Sequence, residues 1–128
     1  MMHYRPLHRD VIRAIYYAAC EFVPMRANCP AAALERIEDC QKIEHRSVCD
    51  LAARLATIVL RERLFPIANL QAAWLLAYTV MAINGSAPRL EQATVVFLMR
   101  DLNGGAIGPS QFSKALRLGR TLRQESAA

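Results

Sequence analysis

Residues 47–85 read SVCDLAARLATIVLRERLFPIANLQAAWLLAYTVMAING, and the fold turns on how this stretch is read. Ser47 is a helix-capping residue type, and behind it Val48, Leu51, Ala52, Leu55, Ala56, Ile58 and Val59 form a wide apolar stripe at helical spacing. Arg61, Glu62 and Arg63 close that helix. Pro66 biases Phe65 away from helix and Asn69 is able to cap the next helix, so residues 64–69 read as a short loop. From Leu70 to Ile83 the chain is apolar on nearly every face, as in a helix surrounded by others, and Asn84-Gly85 supplies a left-handed stop. This spacing predicts a buried central helix over about 70–83.

Helical periodicity continues on both sides, with no sustained alternation. Leu7, Val11, Ala14, Ile15, Ala18 and Phe22 make one face of a first helix that stops before Pro24. Pro30 suits the start of a second, which carries Leu34 and Ile37 inward while Glu35, Glu38 and Asp39 face water. After Pro88 a fifth helix over 89–102 has Leu90, Ala93, Val96, Phe97 and Met99 as its apolar positions, and Asn103-Gly104-Gly105 ends it. Pro109 and Ser110 open a last helix with Phe112, Ala115, Leu116, Gly119 and Leu122 inside. The expectation is an all-α, compact six-helix bundle forming one domain over 1–123, followed by a disordered tail at 124–128.

Composition narrows the function classes. At 54% hydrophobic residues the chain has the apolar surface for a core. Its formal charge of +5 favours acidic partners, but the cations are scattered. Arg5, Arg9 and Arg13 fall near one face of the first helix, and Lys114, Arg117, Arg120 and Arg123 keep three-residue spacing near the end. No aromatic interleaving accompanies them, which leaves nucleic-acid binding a minor alternative. The start, Met1-Met2-His3-Tyr4-Arg5-Pro6, lacks the apolar stretch of a secretory signal, so a cytoplasmic location is expected. Between Arg63 and Arg89 no charge occurs, yet polar residues leave only roughly a dozen continuous apolar residues against the roughly 20 a membrane span needs.

Weaker constellations point to packing. Cys20, Cys29, Cys40 and Cys49 are spaced too widely for a paired-cysteine zinc site, and Cys40, His45 and Cys49 are the one suggestive cluster; reduced, buried thiols and no metal are expected. His3, His8 and His45 stand in no nucleophile signature. Gly104, Gly105 and Gly108 lack the lysine of a phosphate-binding loop. Trp74, Tyr78 and Met81 share one helical face and read as core.

The order helix, loop Arg63-Leu64-Phe65-Pro66-Ile67-Ala68-Asn69-Leu70-Gln71, apolar helix, Asn84-Gly85 resembles the centre of the Fic/Doc family of nucleotide-using toxins. Residues 4–22 are similar to the first Doc helix and 90–116 to the Doc tail, while 25–46 fit least. The family loop is a histidine, any residue, phenylalanine, any residue, an acid, a small residue, asparagine, lysine or glycine, then arginine. Phe65, Ala68 and Asn69 match its scaffold, whereas Arg63 stands at the histidine, Ile67 at the acid, Leu70 at the lysine or glycine and Gln71 at the arginine.

The resemblance therefore implies a degenerate site with no catalytic residue and no cofactor. Arg63, with a pKa above 12, is no general base near neutrality. Ile67 offers no oxygen to magnesium, and Leu70 and Gln71 remove the basic contacts to a transferred phosphoryl group. What it implies instead is a catalytically silent Doc-like domain that binds a macromolecular partner, either an antitoxin-like peptide or a host or defence protein that it inhibits. A second copy of the chain is a further candidate partner. Arg63, Asn69 and Gln71 are the positions expected to meet an anion or partner at the start of the central helix. The alternative is a divergent phosphotransferase or nucleotidyltransferase that has moved its base and metal ligand elsewhere, with Glu62 and Glu91 as substitutes.

Overall fold

The computed structural model describes residues 4–25 and 27–127, with side chains described as far as Gly119. Six α-helices succeed one another: α1 Arg9–Cys20, α2 Ala31–Lys42, α3 Val48–Glu62, α4 Asn69–Ile83, α5 Gln92–Gly104 and α6 Pro109–Ala127. Among the described residues there is no strand. The side chains of Arg120, Leu122 and Arg123 lie outside what is described, as do those of the expected tail at 124–128, whose backbone continues α6 as far as Ala127.

The helix expected over 70–83 forms as α4, but the most enclosed helix is α3. Val48, Cys49, Leu51–Ala53 and Leu55–Leu60 are all buried, and only Asp50, Arg54 and the C-terminal turn reach solvent. The reason is position: α3 packs against α2, α4, α5 and α6. Its start is fixed by Ser47, whose hydroxyl accepts the Asp50 N–H at 3.1 Å. Buried Thr57 satisfies its hydroxyl within the helix, donating to Ala53 O at 2.7 Å.

Where α4 packs on α3 and α1, it buries Ala72, Ala73, Leu76, Ala77, Val80 and Met81. Alanines are buried on both helices, which permits close approach of the two axes. The other side of α4 stays open: Tyr78 is 40% exposed, and Trp74 and Leu75 are half-buried. Apolarity all round had suggested a helix covered all round; α1 and α5 also pack on α4, but they leave Trp74, Leu75 and Tyr78 partly exposed. The stop at Asn84-Gly85 forms as expected, with Gly85 at φ 76° and the Ser86 N–H reaching back to Met81 O at 2.9 Å.

Two outer helices bury a different stripe from the one their spacing suggested. α1 turns Ile12, Ile15, Tyr16, Ala19 and Cys20 inward, leaving Val11, Ala14, Ala18 and Phe22 outside the buried set. The two stripes differ by one position, and Tyr16 selects between them by stacking on Phe65, with ring centroids 4.2 Å apart and planes at 9°. α5 turns Met99 and Leu102 inward with Val95 and Leu98 beside them, so Ala93, Val96 and Phe97 face out. It also begins later than expected, at Gln92, and Gly105 at φ 79° ends it.

In α6, Phe112, Ser113, Leu116 and Gly119 are buried. A Cβ on Gly119 would lie 2.5 Å from Leu90 Cδ2, so glycine lets the segment before α5 close onto α6. The extended residues before α1 are tied down by two side-chain amides. Gln41 takes both backbone groups of Leu7 (2.6 and 2.9 Å), and Asn84 takes both of Arg5 (2.7 and 3.0 Å).

Candidate functional site

The loop between α3 and α4 is pinned at both ends by left-handed residues that are not glycine. Arg63 at φ 46° ends α3, and Ala68 at φ 60° stands before α4. Such conformations cost of order 1 kcal/mol each and persist only where packing enforces them. Phe65 supplies the packing: it is 3% exposed and stacked on Tyr16. Asn69 supplies the polar closure, accepting the Phe65 N–H at 3.0 Å and donating to Phe65 O at 2.7 Å.

Asn69 therefore does not cap α4. Among the described residues no side chain does, so the N–H groups of its first turn are without a side-chain acceptor. In front of them is a shallow concavity of about 290 Å³ whose wall includes Arg63, Ile67, Ala68, Asn69, Leu70 and Gln71. The fold thus gathers the expected positions at one place, with Phe65 beneath them in the core. The Asn69 amide is committed to Phe65, which leaves Arg63, Gln71 and backbone N–H groups as the polar groups at this wall.

Arg63 is not drawn off by its neighbour. Glu62 is held by Arg36 of α2 through two hydrogen bonds, 2.9 Å to Oε1 and 2.8 Å to Oε2. Among the described residues no carboxylate pairs with Arg63. The Arg36 hydrogen bond also keeps the Glu62 carboxyl below the ordinary carboxylate range, which makes it a poorer proton acceptor. Glu91 is the N-terminal flanking residue of α5, exposed, and absent from the wall of the concavity. Neither glutamate is arranged as a general base toward this concavity.

Beside the concavity, and sharing Leu70 and Gln71 with it, an apolar groove of about 620 Å³ runs between α4 and α5 with the segment before it. Phe22, Trp74, Tyr78, Leu90 and Val96 form its sides. Phe22 is 71% exposed, and the Trp74 and Tyr78 rings lie 6.0 Å apart at 48°. Of the three residues read as core, only Met81 is fully buried. Spacing alone did not reveal the groove, because exposure of Trp74 depends on how closely α5 approaches α4. A large aromatic at Phe22, at the end of α1 and short of Pro24, was the available signal.

The four cysteines are free, and Cys40 and Cys49 are buried. Burial pushes the Cys40 thiol up, away from the thiolate that metals require. His45 stands 3.0 Å from Cys40 O through Nε2, so that nitrogen carries the proton and donates. Among the described residues no three His, Cys, Asp or Glu side chains are placed to hold a metal ion. Nor is any described helix long and apolar enough to cross a membrane. No protein-family model and no curated protein matches this chain.

Proposed function

We propose that this domain is catalytically silent, Doc-like in arrangement, and works by binding a protein partner that lays an amphipathic helix in the groove. The observation that carries this reading is continuity: an open apolar groove runs, through Leu70 and Gln71, into a concavity that holds an arginine without an ion pair among the described residues and the start of a 15-residue helix. Apolar residues at helical spacing fit the groove, and an acidic residue at one end of the segment fits Arg63 and the α4 N–H groups. An antitoxin-like peptide is the occupant to which this chemistry corresponds best. A host or defence protein carrying such a helix would be bound in the same way.

Trp74 is the chain's only tryptophan, so its fluorescence reports on the groove alone. A photo-crosslinker placed at Val96 in the native cell should capture one protein through an acid-flanked amphipathic segment identified by peptide mass. A synthetic peptide of that segment should then shift Trp74 emission. Arg63→Glu should weaken the peptide more than tenfold with thermal stability nearly unchanged. Crosslinks to a second copy of this chain would make the groove a self-association surface instead. Equal peptide affinity in wild type and Arg63→Glu would place the interface elsewhere.

The same reading expects no chemistry. With ATP or GTP and magnesium the protein should neither modify a hydroxyl nor hydrolyse nucleotide above background. Turnover that vanishes on Glu62→Gln or Glu91→Gln would replace this proposal with the divergent-transferase alternative.

A further inference from the structure

At the other end of α3 from Arg63, roughly 22 Å away by helix rise, lies another cavity, polar and charged where the groove is apolar. It has a volume of about 620 Å³ and is bounded by the 44–47 turn, the first turns of α3 and the start of α6. Four cations stand around it, Arg46, Arg54, Lys114 and Arg117, against the carboxylates of Glu44 and Asp50.

Asp50 is already occupied. The hydroxyl of Ser113, only 2% exposed, donates to Asp50 Oδ1 at 2.5 Å, and Arg117 stands 4.0 Å from the same oxygen. Arg46, Arg54 and Lys114 have no ion pair among the described residues. These three cations come from different elements, the turn before α3, α3 itself and α6, so one concave space brings together like charges that sequence keeps apart. Like charges around a cavity repel, and a multivalent anion between them turns that repulsion into attraction. The two helix starts at its wall add partial positive charge in the same direction.

We infer that this cavity binds a compact polyanion carrying two or more phosphate groups. Apart from Pro109 its wall is polar or charged, and it contains no Phe, Tyr or Trp on which a nucleobase could stack. The recognition is of phosphate charge and not of a base. Its volume exceeds what one phosphate fills, and a concave wall suits a compact ligand better than a nucleic-acid backbone lying along a convex surface.

Calorimetric titration of the whole chain tests this with inorganic tripolyphosphate, orthophosphate and a short single-stranded oligonucleotide. Tripolyphosphate should bind at one site per chain and at least tenfold more tightly than orthophosphate, with affinity falling as salt rises. The double substitution Arg54→Ala with Lys114→Ala should weaken it more than tenfold. Arg61→Ala with Arg100→Ala, two exposed cations outside the cavity, should leave it within twofold. All four positions are on the surface, and a melting curve of each variant checks that it remains folded. Absence of saturable tripolyphosphate binding, equal weakening by the remote pair, or tighter binding of the oligonucleotide lost on the same Arg54/Lys114 substitution would each overturn the inference.

Discussion

The side-chain amide of Asn69 closes on both backbone groups of Phe65, taking its N–H at 3.0 Å and giving a hydrogen bond to its C=O at 2.7 Å. That ring converts the loop after α3 into a fixed element, since Phe65 is anchored from below by Tyr16 and from the side by Asn69. The same device recurs where Gln41 grips Leu7 and Asn84 grips Arg5. In each case a carboxamide supplies the donor and the acceptor that an extended residue would otherwise find in a neighbouring strand.

The clamp predicts a graded result at Asn69. Asn69→Ala strands a part-buried N–H and C=O and should cost about 1–3 kcal/mol in urea denaturation. Asn69→Asp keeps the acceptor, loses the donor and sets a carboxylate against Phe65 O, so it should cost at least as much near neutral pH. Losses under about 0.5 kcal/mol in both variants would show that the stacked rings hold the loop alone.

Tyr16 is fully buried, and among the described residues its hydroxyl makes no hydrogen bond of good geometry, with only the Cys20 thiol and the Ile67 backbone near it. Tyr16→Phe should therefore leave stability unchanged or raise it by up to about 1 kcal/mol, whereas Tyr16→Ala should cost about 3–5 kcal/mol. Burial, with the Cys20 thiol contributing next, pushes the Tyr16 hydroxyl up to about 12. The unfolded chain then ionises first, so the contribution of this group to stability is complete below about pH 10 and is lost as pH rises towards 12. The alkaline loss should be smaller in Tyr16→Phe than in wild type. Identical alkaline profiles would mean that the hydroxyl reaches solvent.

Neighbouring leucines on α4 separate its two faces. Leu76 is fully buried against the core while Leu75 is half-buried towards the groove. Leu76→Ala should cost about 2–5 kcal/mol, and Leu75→Ala clearly less. Equal costs would mean that something covers the open face of α4 in solution, and sedimentation of the same samples would show whether that is another copy.

The Arg36–Glu62 pair should matter little to stability. Both side chains are about 40% exposed, so the bidentate contact is worth about 0–1 kcal/mol after solvent screening. Arg36 lowers the Glu62 carboxyl, so this contribution is present above the ordinary carboxylate value of about 4.3 and is lost as pH falls through the folded value. Arg36→Met should match wild type in strong acid and fall slightly behind at pH 7, with the gap closing in about 1 M salt. Under the proposed function it has a sharper readout: freeing Glu62 gives Arg63 a carboxylate neighbour, and affinity for the proposed acid-flanked peptide should drop. Unchanged affinity would show that Arg63 does not need Glu62 withdrawn.

By itself the sequence determined the number, order and class of the elements. Helical spacing, Ser47 before α3, Pro30 before α2, and Asn84-Gly85 and Gly105 as stops are local signals, and each acts through its own backbone within one turn. It also brought Arg63, Ile67, Leu70 and Gln71 to one place, because a short loop between two long helices keeps near neighbours near. Only the tertiary structure decided which side of each helix was buried. In α1 and α5 two stripes one position apart have similar apolarity, and choosing between them took the Tyr16–Phe65 stack and the packing of Met99 and Leu102. It also decided that α3 is surrounded while α4 keeps an open face, and that three cations from separate elements meet at one cavity. Those outcomes depend on which surfaces remain without a neighbour when the chain closes, a property of the whole packing that no stretch of residues carries alone.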